Sequence, residues 1–172
     1  MTQTTKVKVV TGNVRFSYAN VFQPKASMEG GTPKYSVSII ISKSDKDTIS
    51  RLQKAFEDTK AASATLFGGT VPKNLKGGLR DGDAEKDDPV YAGSYFINAN
   101  SAQKPGVVDA DLNPIINADD FYSGCYGRAS VTFYPYNAQG SKGIACGLNN
   151  IQKLEDGEKL GGGSNAAADF AA

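Results

Sequence analysis

The stretch Tyr126-Gly-Arg-Ala-Ser-Val-Thr-Phe-Tyr-Pro-Tyr136 has two chemically different faces when read with the period of a β-strand. Tyr126, Arg128, Ser130, Thr132, Tyr134 and Tyr136 fall on one side, and Gly127, Ala129, Val131, Phe133 and Pro135 on the other. The second set is what a core accepts. The first combines aromatic rings, a guanidinium and small hydroxyls, which an apolar interior does not satisfy but unstacked bases and phosphates can use. Pro135 marks an edge or a strand end beside Tyr136, because proline donates nothing to a ladder.

Working outward, residues 137–143 have the composition of a hairpin loop, with Gly140 and Gly143 able to take positive φ, and a last strand follows near residues 143–152. Upstream, residues 91–98 read as a strand that puts Tyr91 and Tyr95 on one face, and a Pro-, Asn- and Asp-rich connection leads to residue 121. Residues 6–18 alternate imperfectly around Gly12, as a long strand bent at a barrel corner does, with Val7, Val9, Val14 and Phe16 toward the core. The β-branched run at 37–41 places a second strand at 35–42, paired with the first.

One helix is expected over residues 45–62, opened by a capping-box-like Ser44 and Asp47 and carrying Ile49, Leu52 and Phe56 at helical spacing. Residues 67–89 are expected to form an extended loop that covers a binding surface. The fold class is therefore mainly β, with one main α-helix and long loops. Residues 1–156 form one domain, and 157–172, too poor in apolar side chains to offset the ordering entropy, form a flexible C-terminal tail.

At 172 residues, 40% hydrophobic and 22% charged, the chain suits a single globular unit that removes roughly 70% of its unfolded surface from water. No apolar run is long enough to cross a membrane, and the N-terminus has no secretory h-region, so a soluble intracellular protein with reduced Cys125 and Cys146 is expected. The net charge of +1 hides an asymmetry: residues 1–80 hold 13 basic and 5 acidic groups, and residues 81–172 hold 6 and 13. Such a division allows a basic groove beside an acidic region.

The absence of histidine removes the commonest general base and most zinc sites. The acidic run from Asp81 to Asp88 imitates a calcium loop but has Lys86 where the turn needs glycine and Ala92 where a bidentate glutamate should close it. No phosphate-cradling Gly-x-x-x-x-Gly-Lys spacing occurs. No catalytic residue, metal or cofactor is therefore assigned. A metal-dependent nuclease built on Asp81, Asp83 and Asp88 is the enzymatic rival, and a structural or assembly protein using the tyrosine-rich sheet for protein contacts is the other.

The candidate binding residues are the rings of Tyr95, Tyr126, Tyr134 and Tyr136, Arg128 among them, and the loop cations Lys73, Lys76, Arg80 and Lys142. Stacking contributes roughly 1–3 kcal/mol per base, whereas association costs on the order of 4–15 kcal/mol, so aromatics alone bind weakly and cations must neutralise phosphates.

Three segments, 34–43, 78–100 with its Leu-Arg-Asp-Gly-Asp and Tyr-Phe-Ile-Asn-Ala-Asn pieces, and 124–157 through Gly-Arg-Ala-Ser-Val-Thr-Phe-Tyr-Pro-Tyr-Asn, resemble the bacteriophage single-stranded DNA-binding proteins of the Enc34 type. The resemblance implies an OB-like five-stranded barrel with additional strands, coating single-stranded DNA without catalysis in phage replication or recombination, in the cytoplasm of an infected host. It also implies replication or recombination partners met through the tail, for which Asp169 and Phe170 are the candidates, and it is compatible with a homodimer. The tail match is poor, since Asp169 is the only acid beyond Lys159.

Overall fold

A strand that is apolar on one face only needs a second layer or a closed ring to bury that face, and here the ring forms. The computed structural model describes residues 6–25, 33–64, 67–69, 75, 77–138 and 141–160. Eight strands make one sheet: β1 (Val7–Val10), β2 (Val14–Lys25), β3 (Lys34–Ser42), β4 (Arg80–Asp81), β5 (Ser94–Ser101), β6 (Gly106–Val108), β7 (Tyr126–Ala138) and β8 (Ser141–Glu155). β7 pairs with β2, β2 with β3, β3 with β5, β5 with β8, and β8 returns to β7, which closes a five-stranded OB-like barrel.

β1 and β2 lie end to end along one edge of β7, with Val7–Val10 opposite 130–133 and Val14–Arg15 opposite 126–127. Thr11 bridges them, its N–H donating to Ala129 O at 2.9 Å and its hydroxyl accepting Ala129 N–H at 3.0 Å. The expected long bent strand is thus present as two pieces broken at residues 11–13. Helix α1 (Lys46–Ala62) seats its first turn on that break: Gly12 N–H donates to Thr48 Oγ1 at 3.0 Å and Arg51 donates to Val10 O at 2.7 Å.

The helix begins at Asp45, whose carboxylate accepts Thr48 N–H, so the cap lies one residue past Ser44. Leu52 and Ala55 close one end of the barrel, and Ile49 and Phe56 pack beside them, Phe56 edge-on to Phe133 at 6.1 Å. Val14, Phe16, Val37, Ile39, Ile41, Ile97, Ala99, Ala129, Val131, Phe133, Ile144, Leu148 and Ile151 fill the interior. Each large side chain so buried contributes roughly 1.5–3 kcal/mol.

Residues 67–89 are not a plain loop. They contain β4, the short helix α2 (Gly82–Glu85) and the start of a 3-10 turn (Pro89–Tyr91). Tyr91 belongs to that turn and not to a strand, so it does not share a strand face with Tyr95; it is buried and donates its hydroxyl to Ser38 Oγ at 3.1 Å. With Ile40 and Phe96 it forms a small second core on the outer face of β3 and β5. The connection at 100–120 likewise holds β6, and residues 121–125 precede β7 without belonging to it.

Hairpin pairing runs to Ala138 opposite Ser141, which leaves Gly143 inside β8 opposite Tyr136. Residues 157–160, which composition places in the tail, lie against the body: Gly157 N–H donates to Tyr122 Oη, Leu160 N–H to Ser123 O at 2.9 Å, and Arg15 to Glu158 O at 3.0 Å. No helix among the described residues is long and apolar enough to cross a membrane.

Candidate nucleic-acid interface

The period-two reading of β7 fixes which side chains leave the barrel. Ala129, Val131 and Phe133 are buried, while Arg128 is exposed and Tyr126, Ser130, Thr132, Tyr134 and Tyr136 are half-exposed. β8 keeps this face continuous through two register slips, which make Asn149 and Leu154 extra residues relative to β7. The first slip lets Leu148 and Ile151 both face inward and turns Asn149 onto the outer face, where it donates to Thr132 Oγ1 at 2.8 Å and Ser130 Oγ at 3.4 Å. The centre of the face is therefore a satisfied polar network, and its aromatic ends are separate. Tyr126 and Tyr134 are eight residues apart along an extended strand, roughly 26 Å.

At the Tyr134 end the neighbouring strand supplies almost no side chain. Gly143 and Ala145 stand opposite Tyr136 and Tyr134, and the Tyr134 ring lies over Gly147. Gly147 is also where β8 meets β5, through a single parallel bridge to Asn100. Beyond that bridge the strands part into an open groove of ≈ 670 Å³, lined by Arg80, Asn98, Asn100, Tyr136, Ile144 and Ala145 among others. Gly77 closes its flank at φ 113°, so near Ile144 O that any Cβ would overlap the carbonyl. Flat rings, amides and an adjacent guanidinium around an open seam can accept a base and the phosphate attached to it.

Arg80 is not a free charge. Its Nε and Nη2 both donate to Glu85 Oε1, at 2.9 and 2.8 Å, and its guanidinium lies 4.9 Å from the Phe96 ring centroid. The same guanidinium holds the Glu85 carboxyl below the usual range. If Arg80 touches phosphate, Glu85→Gln should steepen the fall of log K with log salt by about 0.7, one further counterion on a single strand; an unchanged slope would remove Arg80 from the contact.

The remaining sequence candidates fall elsewhere. Tyr126 is already covered, with the Arg15 guanidinium 5.3 Å from its centroid and the Gly157 backbone against its edge. Arg128 donates Nε–H to Thr11 O at 3.3 Å and remains open to solvent on the outer face of β7. Lys142 donates to Phe67 O at 3.3 Å. Tyr95 is not brought to this face: it sits opposite Ile41 at the far end of β5, under Lys43 at 5.2 Å and beside Ile49 and Gln53 of α1. Lys73, Lys76, Asp169 and Phe170 lie outside the described residues. Asn98 and Asn100 were not singled out from sequence, although the alternation Ile97-Asn-Ala-Asn100 carries their signal.

The rival chemistries gain no geometry. Asp81 and Asp83 both pair with Lys43 at 2.8 Å, and that hydrogen bonding holds their carboxyls below the usual range. Among the described residues no three His, Cys, Asp or Glu side chains converge as metal ligands. Cys125 and Cys146 are free and buried, and burial pushes the Cys146 thiol up to about 12.

Comparison with known proteins follows the same line. The profile of the family described as Enterobacter phage Enc34, ssDNA-binding protein, matches residues 7–172. "Putative protein p50" of Acyrthosiphon pisum secondary endosymbiont phage 1 is 29% identical over 170 residues, covering 95% of this chain and 91% of the relative. The single-stranded DNA-binding protein from bacteriophage Enc34, solved in complex with ssDNA, superposes with a TM-score of 0.77 at 24% identity, over 90% of this chain and 89% of the other. Gp2.5, a single-stranded DNA-binding protein encoded by bacteriophage T7, gives 0.61 at 16% identity over 96% and 94%. At these identities the structural matches speak for a shared fold.

Proposed function

This chain belongs to the single-stranded DNA-binding protein family of Enterobacter phage Enc34, and from that premise we propose that it binds single-stranded DNA, without catalysis and largely without regard to sequence, at the seam between β5 and β8. The observation that carries the reading is the placement of Tyr136 at an open groove, with Tyr134 beside it over Gly147, where the residues of β8 opposite the two rings are only Gly143 and Ala145. Bases stack on the two rings, Asn98 and Asn100 meet base edges or sugar, and Arg80 attracts the phosphates. Stacking on π-faces is tolerant of sequence because every base has one. A role in phage DNA replication or recombination is part of the proposal and rests on the family.

The test is a titration with oligo-dT. The chain has no tryptophan, so tyrosine emission reports directly: it should quench on binding, and log K should fall linearly with log salt by roughly 0.7 per phosphate neutralised. Incubation of labelled DNA with magnesium or manganese should leave it intact. Flat emission together with no gel shift at low salt would overturn the reading.

A further inference from the structure

β2 contains an aromatic side chain that the fold turns away from its own core. Val14 and Phe16 are buried, so regular alternation would carry Tyr18 inward with them. Instead Tyr18 takes a φ of 47°, the β2–β3 register slips between Ser17 and Asn20, and the core position passes to Val21. A left-handed backbone is uncommon for a tyrosine, and here its result is a residue left 61% exposed.

We propose that Tyr18 is a second base-stacking platform for single-stranded DNA, at the far end of a track that starts at Tyr134 and Tyr136 and crosses the outer faces of β8, β5 and β3. The inference rests on the single-stranded DNA reading above and extends it. Two cations lie along the track, Lys86 and the Glu85-paired Arg80. Lys86 Nζ lies 5.9 Å from the Tyr18 ring and 5.3 Å from those of Tyr91 and Phe96, and Arg80 lies over Phe96 from the side of the Tyr136 groove. Lys86 takes part in none of the ion pairs among the described residues.

Beside the Ile40, Tyr91 and Phe96 cluster, the outer surface between the two ends carries polar side chains, with Asn20 donating to Ser36 Oγ at 3.4 Å. Beside Tyr18 a second groove of ≈ 380 Å³ is lined by Asn20, Lys25, Asp88 and Ser123 among others. Lys25 can meet a phosphate there, while Asp88, whose carboxylate accepts Val90 N–H at 3.0 Å, supplies the one negative charge in the lining. By way of β3, β5 and β8, β2 and β7 are four strand spacings apart, roughly 19 Å around the sheet, so a strand that reaches both ends must be longer than one that fills the seam alone.

Affinity of the full chain for oligo-dT, measured from about 4 to about 16 nucleotides, tests this. The wild type should gain affinity with length beyond what the seam alone provides. Tyr18→Phe should keep that gain. Tyr18→Ala and Tyr18→Gly should bind the shortest oligomers as the wild type does and the longest roughly 5- to 150-fold more weakly. Because glycine takes this φ freely, Y18G should melt no lower than the wild type, which separates lost stacking from lost folding. Wild-type affinity of both Y18A and Y18G for the longest oligomers would overturn the Tyr18 platform alone. Failure of the wild type to bind any oligo-dT at low salt would overturn the single-stranded DNA reading, and Tyr18 with it.

Discussion

Tyr134→Ala should weaken oligo-dT binding by about 10- to 100-fold while leaving the melting temperature close to that of the wild type. A base stacked on an aromatic ring contributes roughly 1–3 kcal/mol, and each 1.4 kcal/mol is a factor of ten. Tyr134 is suited to that task because its ring lies over Gly147, on the outer side of a strand whose inward neighbours, Val131 and Phe133, carry the packing. Truncation therefore removes a surface and leaves the core intact. Tyr126→Ala should behave in the opposite way. Its ring is already engaged by Arg15 and the Gly157 backbone, so its loss should lower stability and change affinity by less than threefold. Unchanged affinity in Y134A, with a large loss in Y126A, would move the interface to the other end of β7.

Gly127→Ala should be the most damaging single methyl in the barrel. Gly127 pairs with Lys153 of β8 on one edge and with Val14 of β2 on the other, and any Cβ there would overlap Gln152 O. The obstacle is backbone held in a ladder on both sides, so neither neighbour can give way without unpairing a barrel strand. A cost of about 3–5 kcal/mol follows from overpacking where relaxation is blocked. In a chain of this size that amounts to a fall of roughly 6–20 °C in melting temperature, readable by circular dichroism. A fall below about 2 °C would show that β8 shifts to accommodate the methyl, as a strand carrying two register slips could do only if the slips were mobile.

Much of the fold was legible in the sequence because its signals are local. The alternation of β7, the β-branched run of β3, the helical spacing of Leu52 and Phe56, and the bend at Gly12 each depend on a few adjacent side chains. The errors occurred where a distant contact outweighed a local pattern. Tyr91 reads as a strand residue, yet its hydroxyl reaches Ser38 and its ring packs edge-on to Phe96 at 5.1 Å, which holds it in a 3-10 turn. Asp45 displaced Ser44 as the helix cap because the first turn is also fixed from outside, by Gly12 donating to Thr48.

For the candidate site, sequence sorted side chains by face but not by neighbourhood. The chain by itself determined that Tyr126, Arg128, Tyr134 and Tyr136 leave the barrel, since strand geometry sends alternate side chains to opposite sides. The same information could not say that Tyr126 is covered, that Tyr95 lies under Lys43 near α1, or that Arg80 is tied to Glu85. Nor could it bring Asn98 and Asn100 to Tyr136 across β8, or turn Tyr18 outward against its own alternation. Those relations depend on which strands meet, in which register, and where the ladder slips, and only closure of the barrel sets them.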